Sequence, residues 1–213
     1  MQLDPGLLPD LVALYQRCQS LAMLDAIVSP EWEDRYYSFN ARWGEGEAMG
    51  SMRNGSCDDW FILFGVFGAA IKGLEHETAI ASDKAFFREV QAQVPRSFSA
   101  FLDESAFGWH WLSYCYWRGT QDAQWRKVIH PDPALAASED GSVDRLSVLC
   151  ESATAYASFA SWYYERDLPL AAIESVYAHR PLTQDLVGLL NPGLKLDQMG
   201  KDLAAIGYPL AGV

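Results

Sequence analysis

The chain has 213 residues, half of them apolar, and a formal net charge of −12 at pH 7, a composition that excludes a disordered or low-complexity chain and allows one sizeable core. The acidic balance argues against phosphate backbones as partners, so a basic protein is the expected partner and nucleic acid is not. No run approaches the roughly eighteen apolar residues of a membrane span, and the start MQLDPGLLPDLVALYQRCQ lacks a positive leader followed by an apolar block, so the cytoplasm is the expected address.

Leu7, Leu8, Leu11, Leu14, Tyr15, Cys18, Leu21, Ala22 and Leu24 recur every three or four residues, which predicts an amphipathic helix over 7–27 with Pro9 in its first turn. Tyr37, Phe39, Ala41 and Trp43 then alternate with polar residues, the period of a half-buried strand. The next stretch, WGEGEAMGSMRNGSCDD, is rich in glycine, methionine and charge and predicts a long loop over 44–58. DWFILF and AAIKGL, joined by GVFG, predict an antiparallel hairpin central in the sheet. Residues 82–107 predict one or two short helices, with Ser82 as N-cap and Pro95 starting the second. WLSYCYW at 111–117 predicts a fourth strand. HPDPALAASEDGS, residues 130–142, has the composition of a linker. Beyond it the spacing of Leu146, Leu149, Tyr156, Phe159, Tyr163, Ile173 and Val176 predicts helices to the end, with starts at Pro169 and Thr183 and a stop at Gly207 before Pro209. The expected fold is α+β: a mostly antiparallel sheet of about four or more strands, an N-terminal helix and a helical C-terminal third, in a single domain. Cys18, Cys57, Cys115 and Cys150 lack the spacing of a zinc site or a disulfide framework, so reduced and mostly buried thiols are expected.

No GxSxG, Walker loop, GxGxxG or HExxH occurs, which lowers the expectation of an enzyme and calls for no cofactor. Glu75, His76 and Glu77 form the best metal-like cluster, but alternation along a strand would send His76 to the opposite face from the two acids. His110, between two tryptophans, is the candidate general base; His130 and His179 are expected to be structural, the latter as a cation at a helix C-terminus. Core roles are expected for Trp60, Trp117 and Trp162, and partial exposure for Trp43 and Trp125.

Residues 30–77 hold nine acids against four bases, so charge is densest around the expected loop. Its glycines and methionines suit an adaptable protein-binding surface. The predicted binding set is Trp43, Glu45, Glu47, Met49, Met52, Arg53, Asp58 and Asp59.

The blocks YYSFNARWGEGEAMGSMRNG, DDWFILF, AAIKGLEHE, VPRSFSAFLDESAF, CYWRGTQDAQW and LNPGLKLDQMGKDLAAIGYP resemble a family of uncharacterised bacterial proteins. Such families resemble immunity proteins that neutralise bacterial toxins. The resemblance implies a binding role and names no catalytic residue. The expected function is therefore a cytoplasmic binding protein with a basic toxin domain as its partner; an enzyme with a His/Glu site and a regulatory subunit are the alternatives.

Overall fold

The computed structural model describes residues 1–212. Its centre is a six-stranded antiparallel meander whose spatial order follows the chain: β1 (Tyr37–Gly44), β2 (Glu47–Arg53), β3 (Asp59–Gly65), β4 (Gly68–Leu74), β5 (Tyr114–Gly119) and β6 (Arg126–Lys127). The predicted hairpin is β3–β4, in register from Asp59↔Leu74 to Gly65↔Gly68. The predicted loop over 44–58 is corrected, because most of it is β2, paired on both sides. Glycine here serves packing rather than looseness: a Cβ on Gly50 would come within 3.3 Å of Cys18 on the helix above.

Alternation gives the sheet two buried faces. Phe39, Met52, Trp60, Ile62, Ile71, Tyr114 and Tyr116 point into the larger core. Met49, Phe61, Leu63, Ala70, Cys115 and Trp117 point into a second core on the other side. That second face is covered by the excursion between β4 and β5, which carries α2 (Phe86–Gln93) and α3 (Ser99–Leu102). The helix α2 starts four residues after the predicted cap Ser82, and the Asp83 side chain accepts from Ala85 N just before it. The linker-like segment contains α4 (Pro133–Ala136) and, near its end, Asp140, whose fully buried carboxylate pairs with Lys127.

The larger core lies under α1 (Leu11–Val28) and the C-terminal helices α5 (Ser142–Cys150), α6 (Ala153–Tyr163), α7 (Leu170–Tyr177), α8 (Gln184–Leu190) and α9 (Gly200–Ile206). Asp10 caps α1 by accepting from Ala13 N at 2.8 Å, so Pro9 stands before the helix rather than inside it. The predicted stops and starts are present: Thr183 accepts from Leu186 N at 3.1 Å, and Gly207 ends α9 at φ +68°. Cys18 and Cys115 are buried, Cys150 is partly covered, Cys57 is exposed, and all four are free thiols. Among the described residues no helix is long and apolar enough to cross a membrane.

From Cys18 to Val28 the helix α1 is buried on every side, and Asp25 lies inside that stretch. Its Oδ2 accepts from Tyr36 N at 2.9 Å, Tyr37 N at 2.7 Å and the Tyr164 hydroxyl at 2.8 Å; its Oδ1 accepts from the Tyr156 hydroxyl at 2.7 Å. Burial pushes this carboxyl up to about 6 from 3.8, and the four donors only partly offset it. A folded value above the unfolded one adds stability that is fully present below the unfolded value and lost as pH rises through about 6. Asp25→Asn removes this titration. Wild type should therefore gain on the order of 2–3 kcal/mol relative to that variant between neutral pH and about pH 4. Urea unfolding at a series of pH values checks this, and a difference that stays constant with pH would show that Asp25 does not titrate in that window.

Candidate functional site

Strand β2 divides the predicted binding set between the two ends of the sheet, roughly 20 Å apart at the rise of an extended strand. Trp43, Glu45 and Glu47 lie at the β1–β2 turn, whereas Arg53, Asp58 and Asp59 lie at the opposite end. Met49 and Met52, 6% and 1% exposed, point into opposite cores between them. The expectation that these methionines offer adaptable surface is therefore corrected: they are core residues. Trp43 is half-buried, with its Nε1 donating to Glu104 Oε2 at 2.9 Å. Glu45 is exposed, and Glu47 lines a 660 Å³ groove with Val12, Tyr15 and Ala48.

The 53–59 end carries the denser chemistry. Asn54 shapes the turn into β3, its Oδ1 accepting from Ser56 N and Asp58 N and its Nδ2 donating to Asp58 Oδ2 at 2.6 Å. Asp58 is 3% exposed. It also accepts from the backbone N of His76 at 3.0 Å, the ring Nδ1 of His76 at 2.7 Å and Arg145 Nη2 at 2.6 Å. Arg145 Nε donates in turn to Glu75 Oε2 at 2.6 Å. Burial alone would raise Asp58, but the bonds from His76 and the charge of Arg145 outweigh it and hold the carboxyl below its ordinary value. The same bond raises His76. Next along β3, Asp59 pairs at 2.7 Å with Lys72, which is buried on the second face. Burial raises Asp59 and lowers Lys72.

This geometry bears on the metal-like cluster. Glu75, His76 and Glu77 follow β4 in a turn rather than extending it, so the predicted alternation of faces does not apply. Asp58, Glu75 and His76 each bring a potential ligand atom within 4.8 Å of the others, yet the cation already bridging the two carboxylates is the Arg145 guanidinium. Glu77 is exposed, 4.0 Å from His76 Nε2. His76 is 43% exposed, so the buried Asp58 fixes one ring nitrogen while the other faces outward. His110, the predicted base, is exposed, with neither ring nitrogen held by a partner among the described residues. His130 is buried against Asp83 at 2.9 Å. His179, expected to be structural, is partly buried after α7 with its Nε2 3.1 Å from Gln19 Oε1 and its ring 4.8 Å from that of Tyr208, and burial lowers its pKa.

Aromatic residues complete this end. Tyr36 and Tyr163 meet edge to face at 5.0 Å, and with Trp32, Ser38, Ser51 and Glu33 they line a cavity of about 230 Å³. Trp162 lies beside Tyr163, with ring centroids 6.1 Å apart. It is 75% exposed, which corrects its predicted core role: Tyr156 and Ala160 carry the buried stripe of α6 and Trp162 falls outside it. Trp125, expected to be partly exposed, is buried and donates to Pro9 O. Trp32, Tyr163 and Arg145 are the participants that the sequence reasoning missed. The available signal was a tryptophan set among acids in EWED.

No protein-family model matches the chain, and searches of curated proteins and of solved structures found no match.

Arg145→Ala leaves Asp58 buried without its cation and should destabilise the protein by about 2–4 kcal/mol in chemical denaturation. The lowered Asp58 contributes stability above its unfolded value of 3.8, lost as pH falls, and the raised His76 contributes below 6.5, lost as pH rises. The contribution of the Asp58–His76 pair to wild-type stability should accordingly be greatest between those two values. A loss below about 0.5 kcal/mol would show that the cluster is solvated, as surface pairs are.

Proposed function

We propose that this is a binding protein that takes a basic protein partner at the 53–59 end of the sheet. One juxtaposition supports the reading: Trp32 and Trp162, 56% and 75% exposed, both border Tyr163, and Glu31, Glu33, Asp34 and Glu165 are exposed in the adjoining segments. Exposed tryptophan gives large, rigid anchor area, and unpaired carboxylates raise the rate of encounter with a basic surface. Arg53, Asp58 and Asp59 of the predicted set belong to this end; Glu45 and Glu47 do not. The specific form of the proposal is neutralisation of a basic toxin domain in the bacterial cytoplasm, an immunity role, with the −12 charge as its support. A catalytic reading has one observation in its favour, the outward Nε2 of His76 backed by buried Asp58, which would make His76 a general base.

Affinity capture with the tagged protein from its producing cells, at low and at high salt, tests the proposal. A basic protein should be held at low salt and released at high salt. Trp32→Ala with Trp162→Ala should weaken its binding about tenfold or more, while His76→Ala leaves it unchanged. A partner held equally by the double tryptophan variant would place the interface elsewhere, and one lost only with His76→Ala would favour the catalytic reading.

A further inference from the structure

We infer that the cavity bordered by Trp32, Tyr163 and the serine pair Ser38 and Ser51 is a binding site for a single neutral sugar ring. The inference goes beyond the protein-binding reading and does not depend on it. Ser38 and Ser51 are cross-strand neighbours on β1 and β2. Ser51 shares its face of β2 with Met49, so both hydroxyls stand on the second face of the sheet, at its β1 edge. Both line the cavity, which measures about 230 Å³. Ser51 is 3% exposed, and among the described residues neither its hydroxyl nor that of Ser38 makes a hydrogen bond. Buried side-chain hydroxyls are in the large majority bonded. One that is buried, unpartnered and open to a cavity is a group for a ligand to satisfy.

The charged groups around the cavity disfavour an ion of either sign. Arg35 donates to Ser29 O at 2.8 Å and Pro30 O at 2.6 Å and is paired with Asp202. Arg145, which acts on the Tyr36 hydroxyl, is paired with Asp58 and Glu75. Two charged lining residues remain without an ion-pair partner among the described residues, Arg53 and Glu33, and they are of opposite sign. The guanidinium carbon of Arg53 is 5.5 Å from the ring centre of Phe61, the cross-strand neighbour of Ser51, so its head lies on the cavity's own face. A cation would therefore meet Arg53, and an anion would meet Glu33. Both of these side chains are exposed, at the rim, whereas the buried polar group, Ser51, is neutral. An apolar occupant would leave that hydroxyl unpaired. A sugar meets every condition: its hydroxyls donate to the carboxylate, accept from the guanidinium and do both with the serines. Its C–H faces can lie on the rings of Trp32 and Tyr163, whose faces carry the negative side of the aromatic quadrupole. At 230 Å³ the cavity is smaller than the roughly 300 Å³ at which sites for drug-sized ligands begin, which suits one ring and not a chain of them.

The test uses the full-length protein and needs no partner. The Nε1–H resonance of Trp32 is followed by NMR during titration with the methyl glycosides of glucose, galactose, mannose and N-acetylglucosamine. Glycine, inorganic phosphate and acetyl-lysine methylamide serve as zwitterionic, anionic and cationic comparisons. A saturable shift with at least one glycoside is expected, and none with the three comparisons. Ser51→Ala, which removes one buried oxygen and leaves the strand in place, should weaken that glycoside about fivefold or more. Trp32→Ala, followed at Tyr163, should weaken it by a similar factor or more. No saturable shift with any glycoside, an affinity unchanged by Ser51→Ala, or an equal response to one of the charged comparisons overturns the inference. Trp162→Ala separates this site from the protein interface: Trp162 does not line the cavity, so its loss should weaken capture of the protein partner and leave the glycoside titration unchanged.

Discussion

The fold depends on keeping Asp25 satisfied. A carboxylate in the fully buried part of a helix is costly unless donors surround it, and here they come from two other elements. The amides of Tyr36 and Tyr37 fix the entry to β1, and the hydroxyls of Tyr156 and Tyr164 fix α6 and the turn after it. One side chain thus places the first helix, the edge of the sheet and the C-terminal helices relative to one another. The cavity between Trp32 and Tyr163 lies where those same elements meet, so its shape follows from this arrangement.

The charged cluster at the other side of that end works by the same logic with different groups. Asp58 ties the β2–β3 turn, the turn after β4 and α5 together through Asn54, His76 and Arg145. Its carboxylate remains ionised because a guanidinium and several N–H donors face it, whereas Asp25 has only neutral donors. Two buried aspartates of one protein are therefore displaced in opposite directions, Asp25 upward and Asp58 downward. The arrangement leaves the interior of this end fixed and puts its variable charge, on Glu31, Glu33 and Asp34, at the surface.

Much of the architecture was legible in the sequence. DWFILF and AAIKGL declared a central hairpin because strands covered on both faces need apolar side chains throughout, and the Gly207–Pro209 stop was local chemistry. Strand β2 was hidden because a close helix demands glycine at position 50 and because both faces of the strand are buried, which removes the alternation that marks a wet surface. Arg145 carried no signal: its partners Glu75 and Asp58 lie 70 and 87 positions away, and no periodicity encodes such a pairing. Trp162 was misplaced because helical spacing fixes a stripe only to within a residue or so, and Tyr163 beside it took the inward position. Trp32 was within reach, since a large ring among three carboxylates has no core to enter.

The order in which the chain is made gives the Asp25 network a further meaning. Its amide donors come 11 and 12 positions after it, its hydroxyl donors 131 and 139 positions after it. A nascent chain can close the four consecutive hairpin strands early, since their pairings are local. The helix that must lie on them then has only the two amide donors for Asp25, because the Tyr156 and Tyr164 hydroxyls arrive with α6 and the turn after it. That helix can dock in full only after residue 164 has left the ribosome, so the largest apolar face of the sheet is finished last, and its exposure during synthesis is the interval in which this protein most needs protection from aggregation.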